Sequence, residues 1–335
     1  MISKRLRPHR LERARFCGVL LAGAAPFAVS AADTAHETPA TMAGALHTAF
    51  GQHHTRAVHT KGVVLEGSFT PAASGRQLSR ASVFGGGTLT VTVRFSDFTG
   101  LPDIPDTASE ANPRGFAIKF RLADGSETDI VTHSFNGFPT RTSDEFAQLL
   151  RALGASGPDV PKPTALDRFL DTHSVAKTFL TTQKPDPVSY ATLTYYGVNA
   201  FTFVDGQQRR SHVRYRFVPK AGEQFLDATA LRANGPNYLA EEIASRVAVA
   251  PITFDWYAQV AVPGDVIDDP SVAWPESRRL VLLGTITIRN AAGDLAQADK
   301  ALLFLPAKLP AGIEVADPMV TMRHQAYPLS FAERQ

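Results

Sequence analysis

Two residues near the carboxyl end of the chain have types and a spacing that could bind a metal. Arg323 and Tyr327 are four residues apart in a segment predicted to be helical, so their side chains share one face. A guanidinium held against a phenol hydroxyl favours the charged phenolate. A phenolate is a hard anionic ligand for ferric iron and can serve as an axial haem ligand. Taken alone the pair is common, and a structural role explains it equally well.

A histidine early in the chain is the second candidate for chemistry. His59 stands in the segment RAVHTKG (56–62), between a basic residue and a glycine at the entry to a predicted strand. The alternative is a surface histidine near a helix end. A metal cluster of His47, His53, His54 and His59 is a weaker hypothesis, because these residues have no acidic or cysteine partner at ligand spacing.

Strands must position most of these residues. Residues 88–96 alternate strictly, with Leu89, Val91, Val93 and Phe95 on one face and Arg94 and Ser96 on the other. Residues 116–122 alternate too, and Asp124-Gly125 predicts a hairpin turn into residues 127–131. Further strands are predicted over residues 192–204, 211–218, 252–262 and 279–289.

Helices are predicted in blocks between these strands. They cover residues 35–54, 143–153, 165–180 and 238–247, and a final helix is capped by Asp317, opened by Pro318 and continued to Tyr327. Hairpin-linked strands with helices in blocks predict an antiparallel α+β fold built around a closed β-barrel. Residues 35–335 are predicted to form a single domain.

Composition excludes several classes of protein. Of 335 residues, 44% are apolar and 20% are charged, which is ordinary for a globular protein and excludes collagen-like, disordered and polytopic membrane chains. The formal net charge is +2, and the first 31 residues hold six basic side chains and one acidic one. The remainder is therefore mildly acidic, which argues against nucleic acid as a partner.

The first 31 residues are predicted to be a signal peptide. A basic stretch (1–15) precedes an apolar run (16–27) and small residues near Ala31. We expect cleavage there and a periplasmic or secreted protein; the alternative is an uncleaved N-terminal membrane anchor. Cys17 is the only cysteine and falls inside this segment, so the mature chain would form no disulfide.

Eight stretches, in order along the chain, carry a family pattern. They are RAVHTKGVVLEGSF (56–69), VTVRFSDFTGLPDIPD (91–106), NPRGFAIKFRLADG (112–125), DIVTHSFNGFP (129–139), YGVNAF (196–201), DDPSVAWP (268–275), LPAGIE (309–314) and RHQAYP (323–328). The sequence resembles the haem catalases, and more closely the small catalase-related peroxidases of bacteria, over residues 43–335.

The resemblance implies the catalytic and iron-binding residues. His59 matches the distal histidine that works on peroxide, and Ser96 matches the serine that orients it. Tyr327 matches the proximal iron ligand, with Arg323 as its charge partner. The implied cofactor is a haem, expected to be b-type.

Further residues are implied to hold the haem. Arg56, Arg94 and Arg334 match arginines that bind the propionates, for which bidentate guanidinium contacts are suited. Val58 is expected near the haem face, and Phe138 and Phe146 match aromatic residues on the distal side. Asp317 matches a proximal-side acid, although a helix cap explains it equally well.

Departures from the large catalases are informative. His133 stands where they have an asparagine amide beside the distal histidine, and Asn136 follows three residues later. The chain is expected to lack the C-terminal helices and extra domain of large catalases, and also their long N-terminal arm. A monomer or homodimer is therefore expected in preference to a tetramer.

The resulting functional hypothesis is a haem peroxidase that reduces hydrogen peroxide with a small organic reductant. Turnover with such a donor is expected to exceed oxygen release, because His133 alters a distal donor that would position a second peroxide. The alternatives are a true catalase, a haem-binding carrier or sensor without turnover, and a barrel that binds an apolar ligand and no haem.

Overall fold

The computed structural model describes residues 36–335, and the predicted signal peptide lies outside the described residues. The strands are β1 (Gly62–Pro71), β2 (Leu89–Ser96), β3 (Gly115–Arg121), β4 (Glu127–His133), β5 (Tyr195–Val204), β6 (Arg210–Pro219), β7 (Ile252–Val260), β8 (Leu280–Ala291) and β9 (Ile313–Val315). The helices are α1 (Pro39–Phe50), α2 (Ala73–Leu78), α3 (Ser143–Gly154), α4 (Ala165–Thr172), α5 (Ser174–Thr181), α6 (Ala228–Ala233), α7 (Tyr238–Val249), α8 (Leu295–Ala301) and α9 (Met319–Ala332).

Eight of these strands form a closed antiparallel barrel, as predicted. Their order is β4-β3-β2-β1-β8-β7-β6-β5, and a pairing between β4 and β5 closes the ring. That closing contact joins His133 to Tyr196. The short strand β9 adds to β5. The predicted α+β class is therefore confirmed.

Aromatic side chains fill the inside of the barrel. Phe69, Phe95, Phe116, Phe254 and Trp256 are almost completely buried there. The rings of Phe95 and Phe116 stack with their centroids 4.9 Å apart. An eight-stranded barrel has an interior just wide enough to be filled by side chains. Space for a large ligand must therefore lie outside the barrel.

The alternation predicted for β2 explains how the barrel wall contributes residues both to the core and to a cavity outside the barrel. Val93 and Phe95 belong to the aromatic core, whereas Arg94 and Ser96 line a cavity on the other face of the wall. Because successive strand side chains point to opposite faces, one strand packs the core and carries site residues at once.

The helix predicted over residues 165–180 is wrong in one respect, because it is broken into α4 and α5 at His173. A ring nitrogen of His173 lies 2.9 Å from the carbonyl oxygen of Phe169. The imidazole also stacks on the Phe169 ring, with centroids 3.8 Å apart. This side chain occupies the carbonyl that the helical N–H of His173 would use, so the helix ends there.

Two other helices differ from the prediction at their ends. Helix α1 begins after Thr38, whose side chain accepts a hydrogen bond from the N–H of Thr41, and it ends before Gly51. Helix α9 continues past Tyr327 to Ala332 with Pro328 inside it. Among the helices of residues 36–335, none has the length and apolar character that a membrane crossing requires.

Candidate active site

A cavity lies on the outer face of the barrel, between the wall and helices α1, α3 and α9. It holds about 1420 Å³ of space not filled by atoms, part of it open to solvent. Its lining is mostly apolar, with a few polar groups, as is typical of ligand sites. We call His59, Ser96, Gly115 and His133 the barrel side of this cavity. Arg323 and Tyr327, both on α9, form its helix side.

The barrel side is a row of residues across three neighbouring strands. Ser96 on β2 pairs with Gly115 on β3, and Gly115 pairs with His133 on β4. Directly paired residues face the same side of a sheet, so all three face the cavity. A Cβ at Gly115 would lie 2.4 Å from Ser96 Oγ and 2.8 Å from His59 Nδ1. The glycine thus leaves the room in which the His59 ring sits.

Main-chain and side-chain contacts hold the His59 ring in place. Its Nδ1 lies 3.0 Å from Ser96 Oγ, and its ring meets Phe98 edge-on at 5.4 Å. Its backbone adopts a left-handed φ of 57°, which is unusual for a residue other than glycine. The N–H of His59 donates to the Phe98 carbonyl, and its own carbonyl accepts from Arg94 Nη1 at 2.8 Å. The structure thus brings His59 and Ser96 into contact.

Both histidines of the barrel side are neutral over the physiological range. Burial lowers the pKa of His59 to about 3, and the positive charge of Arg94 contributes to the shift. The backbone carbonyl of Asp97 acts in the opposite direction by attracting the ring proton. Burial likewise lowers the pKa of His133 to about 3, helped by the charge of Arg323. A neutral imidazole has one nitrogen free to accept a proton.

The helix side is a continuous chain of hydrogen bonds. Arg323 Nε donates to the phenol oxygen of Tyr327 at 2.8 Å, as the spacing predicted. Arg323 Nη1 donates to Asn199 Oδ1 at 2.5 Å, and Asn199 Nδ2 donates to Asp317 Oδ2 at 2.7 Å.

Asp317 ends this chain, and it also accepts from the N–H of Met319 at 2.9 Å. Burial raises the pKa of this carboxyl, although the Asn199 hydrogen bond opposes the rise. Asp317 therefore accepts a hydrogen bond from the first N–H of α9 and also ends the helix-side chain, whereas the N-cap position of the helix is occupied by Pro318 and not by Asp317 as predicted.

Three arginines meet at one edge of the cavity around a carboxylate of α8. Asp299 Oδ1 accepts from Arg94 Nε at 2.5 Å and from Arg56 Nη2 at 3.0 Å. Arg334 Nη2 donates to the Leu302 carbonyl at 2.7 Å. Burial lowers the pKa of Arg56 to about 9 and that of Arg334 to about 10. Three positive charges against one negative charge make this edge suited to an anionic ligand.

The remaining predicted residues divide into those that line the cavity and one that does not. Val58, Phe138 and Phe146 line the cavity, and the rings of Phe138 and Phe146 lie 4.9 Å apart. His133 lines it as well. Asn136 does not, because its amide donates to Glu276 at 3.2 Å on the exposed surface. Of these two residues, only His133 therefore lines the cavity.

Three site residues were missed by the sequence analysis. Gly115 and Asn199 lie inside stretches that carry the family pattern, and a glycine within a strand is a known sign of close approach. Asp299 lies in none of those stretches. The histidine metal cluster is not found: within residues 36–335, no group of three or more His, Cys, Asp or Glu side chains is arranged to hold a metal ion.

The fold is that of solved catalases. The chain is similar to a fungal catalase structure with a TM-score of 0.72 and 22% identity, covering 84% of this chain and 59% of that one. It is similar to a bacterial catalase structure with a TM-score of 0.71 and 19% identity, covering 84% of this chain and 57% of that one. The chain thus spans less than two thirds of the length of these catalases.

Relatives of similar length carry a different name. The chain is 34% identical to a catalase-related peroxidase of Mycolicibacterium paratuberculosis over 82% of this chain and 87% of that protein. It is 30% identical to a catalase-related peroxidase of Synechococcus elongatus over 89% and 88% of the two chains. The family model described as Catalase matches residues 47–334. With the cavity, the barrel and this match in agreement, the chain belongs to the catalase family.

Proposed function

We propose that this protein is a haem-dependent peroxidase that reduces hydrogen peroxide, and also organic peroxides, with a small organic electron donor. Its role is protection against oxidative stress. One observation carries the proposal: the Arg323–Tyr327 pair and the His59–Ser96 pair line the same cavity. The first pair is suited to hold ferric iron, and the second is suited to move a proton. The names of the relatives of similar length support the same activity.

The residues of the cavity fit a haem. Its apolar lining suits a porphyrin face, against which Val58, Phe138 and Phe146 would pack. The phenol of Tyr327, which accepts a hydrogen bond from Arg323, would bind the iron. The edge formed by Arg56, Arg94 and Arg334 would bind the propionates. A haem held there would supply the redox chemistry, in which the two electrons for cleavage of the O–O bond come in the end from the organic donor.

His59 does the proton chemistry. We place the single ring proton of neutral His59 on Nδ1, which lies 3.0 Å from Ser96 Oγ, so that Nε2 is the acceptor. Nε2 takes a proton from one oxygen of the peroxide and returns it to the departing oxygen, which leaves as water. The donor gives up two electrons and two protons, and a second water accounts for the remaining oxygen. A positioned acid–base group of this kind typically contributes ~10²–10⁴-fold to the rate.

A spectrum and a comparison of two rates test this proposal. The purified protein should show a haem Soret band. At matched peroxide, oxidation of a phenolic or dye donor should exceed oxygen evolution measured with an electrode. Oxygen evolution greater by orders of magnitude would make the protein a catalase. A Soret band without either reaction would make it a haem carrier or sensor, and the lack of a Soret band would exclude haem binding.

Export and assembly belong to the same proposal. The order of basic, apolar and small residues supports cleavage of a signal peptide between Ser30 and Thr34 and a periplasmic or secreted location. N-terminal sequencing of the exported protein tests it, and a Met1 start on a membrane-bound product would contradict it. We expect a monomer or homodimer, which light scattering of the purified protein measures.

A further inference from the structure

A carboxylate of helix α8 has no role in the mechanism described so far. Asp299 lies in the last turn of α8, outside the stretches that carry the family pattern. Its Oδ1 accepts from Arg94 Nε at 2.5 Å and from Arg56 Nη2 at 3.0 Å, and its Oδ2 accepts from Arg94 Nη2 at 3.2 Å. Burial acts to raise the pKa of this carboxyl, but the charges and hydrogen bonds of the two arginines lower it below its ordinary value. Asp299 is therefore an anion bound between two cations.

The end of α8 that carries this carboxylate is fixed by its main chain as well. Arg56 Nη2 donates to the carbonyl oxygens of Asp299 at 2.9 Å and of Leu302 at 2.8 Å. The Leu302 carbonyl also accepts from Arg334 Nη2 at 2.7 Å. Carbonyl groups at the carboxyl end of a helix lack partners within the helix and favour nearby cations. The position of Asp299 relative to the arginines is thus set by several independent contacts.

Asp299 contacts the arginines without occupying the cavity. Arg56, Arg94 and Arg334 line the cavity, whereas Asp299 does not. Arg56 makes all its hydrogen bonds through Nη2, and Arg94 has four such contacts for its five N–H groups. Among the described residues, the Nη1 atoms of Arg56 and Arg334 have no hydrogen-bond partner, and neither is one of the enclosed polar atoms that lack one. Donors on these cavity-lining side chains therefore stay available to a ligand.

We infer that Asp299 is a positioning residue, which holds the guanidinium groups of Arg56 and Arg94 in the orientation in which their remaining N–H groups bind the propionates of a haem. This inference rests on the proposed function. The three arginines and Asp299 carry a net charge of plus two, which matches the two carboxylates of a haem. Side chains that are ordered before a ligand arrives lose less freedom when it binds. The carboxylate also repels the propionates, so the inference requires that orientation outweighs repulsion.

Two forms of the cofactor separate contacts with the propionates from contacts with the porphyrin ring. The full-length protein, freed of haem by extraction, is titrated with ferric haem and with the dimethyl ester of the same haem. The ester keeps the ring and the iron but carries no carboxylate charge. Binding is followed by the Soret band. The wild-type protein should bind the ester roughly 10- to 100-fold more weakly, as expected for loss of hydrogen bonds to charged groups.

Variants of α8 then test the carboxylate. In Asp299→Ala, the dissociation constant of ferric haem should rise roughly 10-fold, because two long side chains must be ordered on binding, and that of the ester should change by less than about twofold. Asp299→Glu restores the charge and should regain most of the affinity. Asp294→Asn is the matched control, because it removes the same charge from the other end of α8 and asparagine caps a helix as well as aspartate does. Both constants should stay at wild-type values in this control.

The outcomes distinguish this inference from the function on which it rests. Tighter binding of ferric haem by Asp299→Ala would show that the carboxylate only repels the propionates, and an equal loss for haem and ester would assign Asp299 a packing role only. Either result, or equal affinity of the wild-type protein for haem and ester, would overturn the inference and leave the peroxidase proposal intact. Failure of the wild-type protein to bind either form would overturn both.

A second variant covers a failure of the first to fold. Circular dichroism verifies the fold of each variant before titration. Asp299→Asn keeps an oxygen that accepts a hydrogen bond but removes the charge, so it carries the same test if Asp299→Ala does not fold. The ratio of the two dissociation constants should then fall in the same direction, and an unchanged ratio would overturn the inference.

Discussion

The two sides of the cavity are built on opposite principles. On the helix side, the side chains of Tyr327, Arg323, Asn199 and Asp317 form an unbroken chain in which each is hydrogen-bonded to the next. On the barrel side, His133 Nε2 has none among the described residues. A side that holds a charged ligand in place benefits when its side chains are joined by hydrogen bonds. A side that binds and releases a substrate must keep polar atoms free for it.

The largest effect is expected from removal of the phenol at the end of the helix-side chain of hydrogen bonds. Tyr327→Phe deletes the only group we assign to the iron, so haem affinity should fall by more than about 100-fold, exceeding the usual effect of second-layer changes. Haem titration followed by the Soret band measures it. Tyr196→Phe is the control, because Tyr196 lies on β5 and does not line the cavity. Full occupancy with an unchanged spectrum in Tyr327→Phe would remove this ligand from the assignment.

A barrel-side change should affect the rate and spare haem binding. His59→Ala is expected to retain haem and lose ~10²–10⁴-fold in its reaction with peroxide, because no other base replaces Nε2. Ser96→Ala should be milder, since it only disturbs the orientation of His59. Stopped-flow spectroscopy measures both, with His212→Ala as the control, because His212 lies on β6 and does not line the cavity. If His59→Ala reacted at the wild-type rate, the assignment of proton transfer to the barrel side and of iron binding to the helix side would be refuted.

Removal of the amide in the middle of the helix-side chain of hydrogen bonds tests whether this chain acts as a unit. Asn199→Ala leaves Arg323 without its carbonyl acceptor and Asp317 without its amide donor. Haem affinity should fall about 10- to 100-fold, as for other partners of metal ligands. Asn234→Ala provides the comparison, because that amide only donates to the Ala230 carbonyl near the surface. An effect confined to folding stability, with normal haem affinity, would show that these hydrogen bonds do not act as a unit in haem binding.

Filling the space on the barrel side should be costly without removing any polar group. Gly115→Ala places a Cβ against Ser96 Oγ and His59 Nδ1. Overpacking of this kind typically costs about 1–3 kcal/mol, so both the free energy of unfolding and the peroxide rate should decrease. Gly206→Ala is the matched change, since nothing lies within 4 Å of a Cβ there. Equal behaviour of the two variants in urea unfolding would show that the His59 ring does not need this gap.

The smallest expected effect is that of pH on the peroxide rate. Because burial lowers the pKa of His59 and His133 to about 3, both rings stay neutral and the peroxide rate should be constant from about pH 5 to 8. Stability should nevertheless change with pH.

The unfolded chain takes up these two protons below the ordinary pKa of 6.5, and the folded chain does so only near 3. The free energy of unfolding should therefore be highest above about pH 6.5 and fall as the pH drops toward 3. Urea unfolding at several pH values measures this slope, which should be shallower in His133→Phe. A rate that halves near pH 6.5 would contradict the neutral rings.

Local patterns were sufficient to predict the elements that carry the site. Alternation placed Arg94 and Ser96 on one face of β2, and helical spacing brought Arg323 to Tyr327. The contacts of Asp299 could not be read in this way, because its partner Arg56 lies 243 residues away. The long-range pairing of β1 with β8 brings these two segments together. The break at His173 was missed for another reason: a side chain replaced the backbone as hydrogen-bond donor to Phe169.

The single pairing that closes the barrel has a consequence for how the chain folds. His133 and Tyr196 join β4 to β5 across a connection of some sixty residues. Leu65 and Ala291 join β1 to β8 across more than two hundred, whereas the hairpins in the wall are far more local. Contacts between distant parts of a chain are slow to form, because the entropy of closing the loop must be lost before they are gained. The ring should therefore close late, and His133 should reach its place in the cavity wall only then. Acquisition of peroxide reactivity during refolding would follow the slowest phase, after most of the strand signal has appeared.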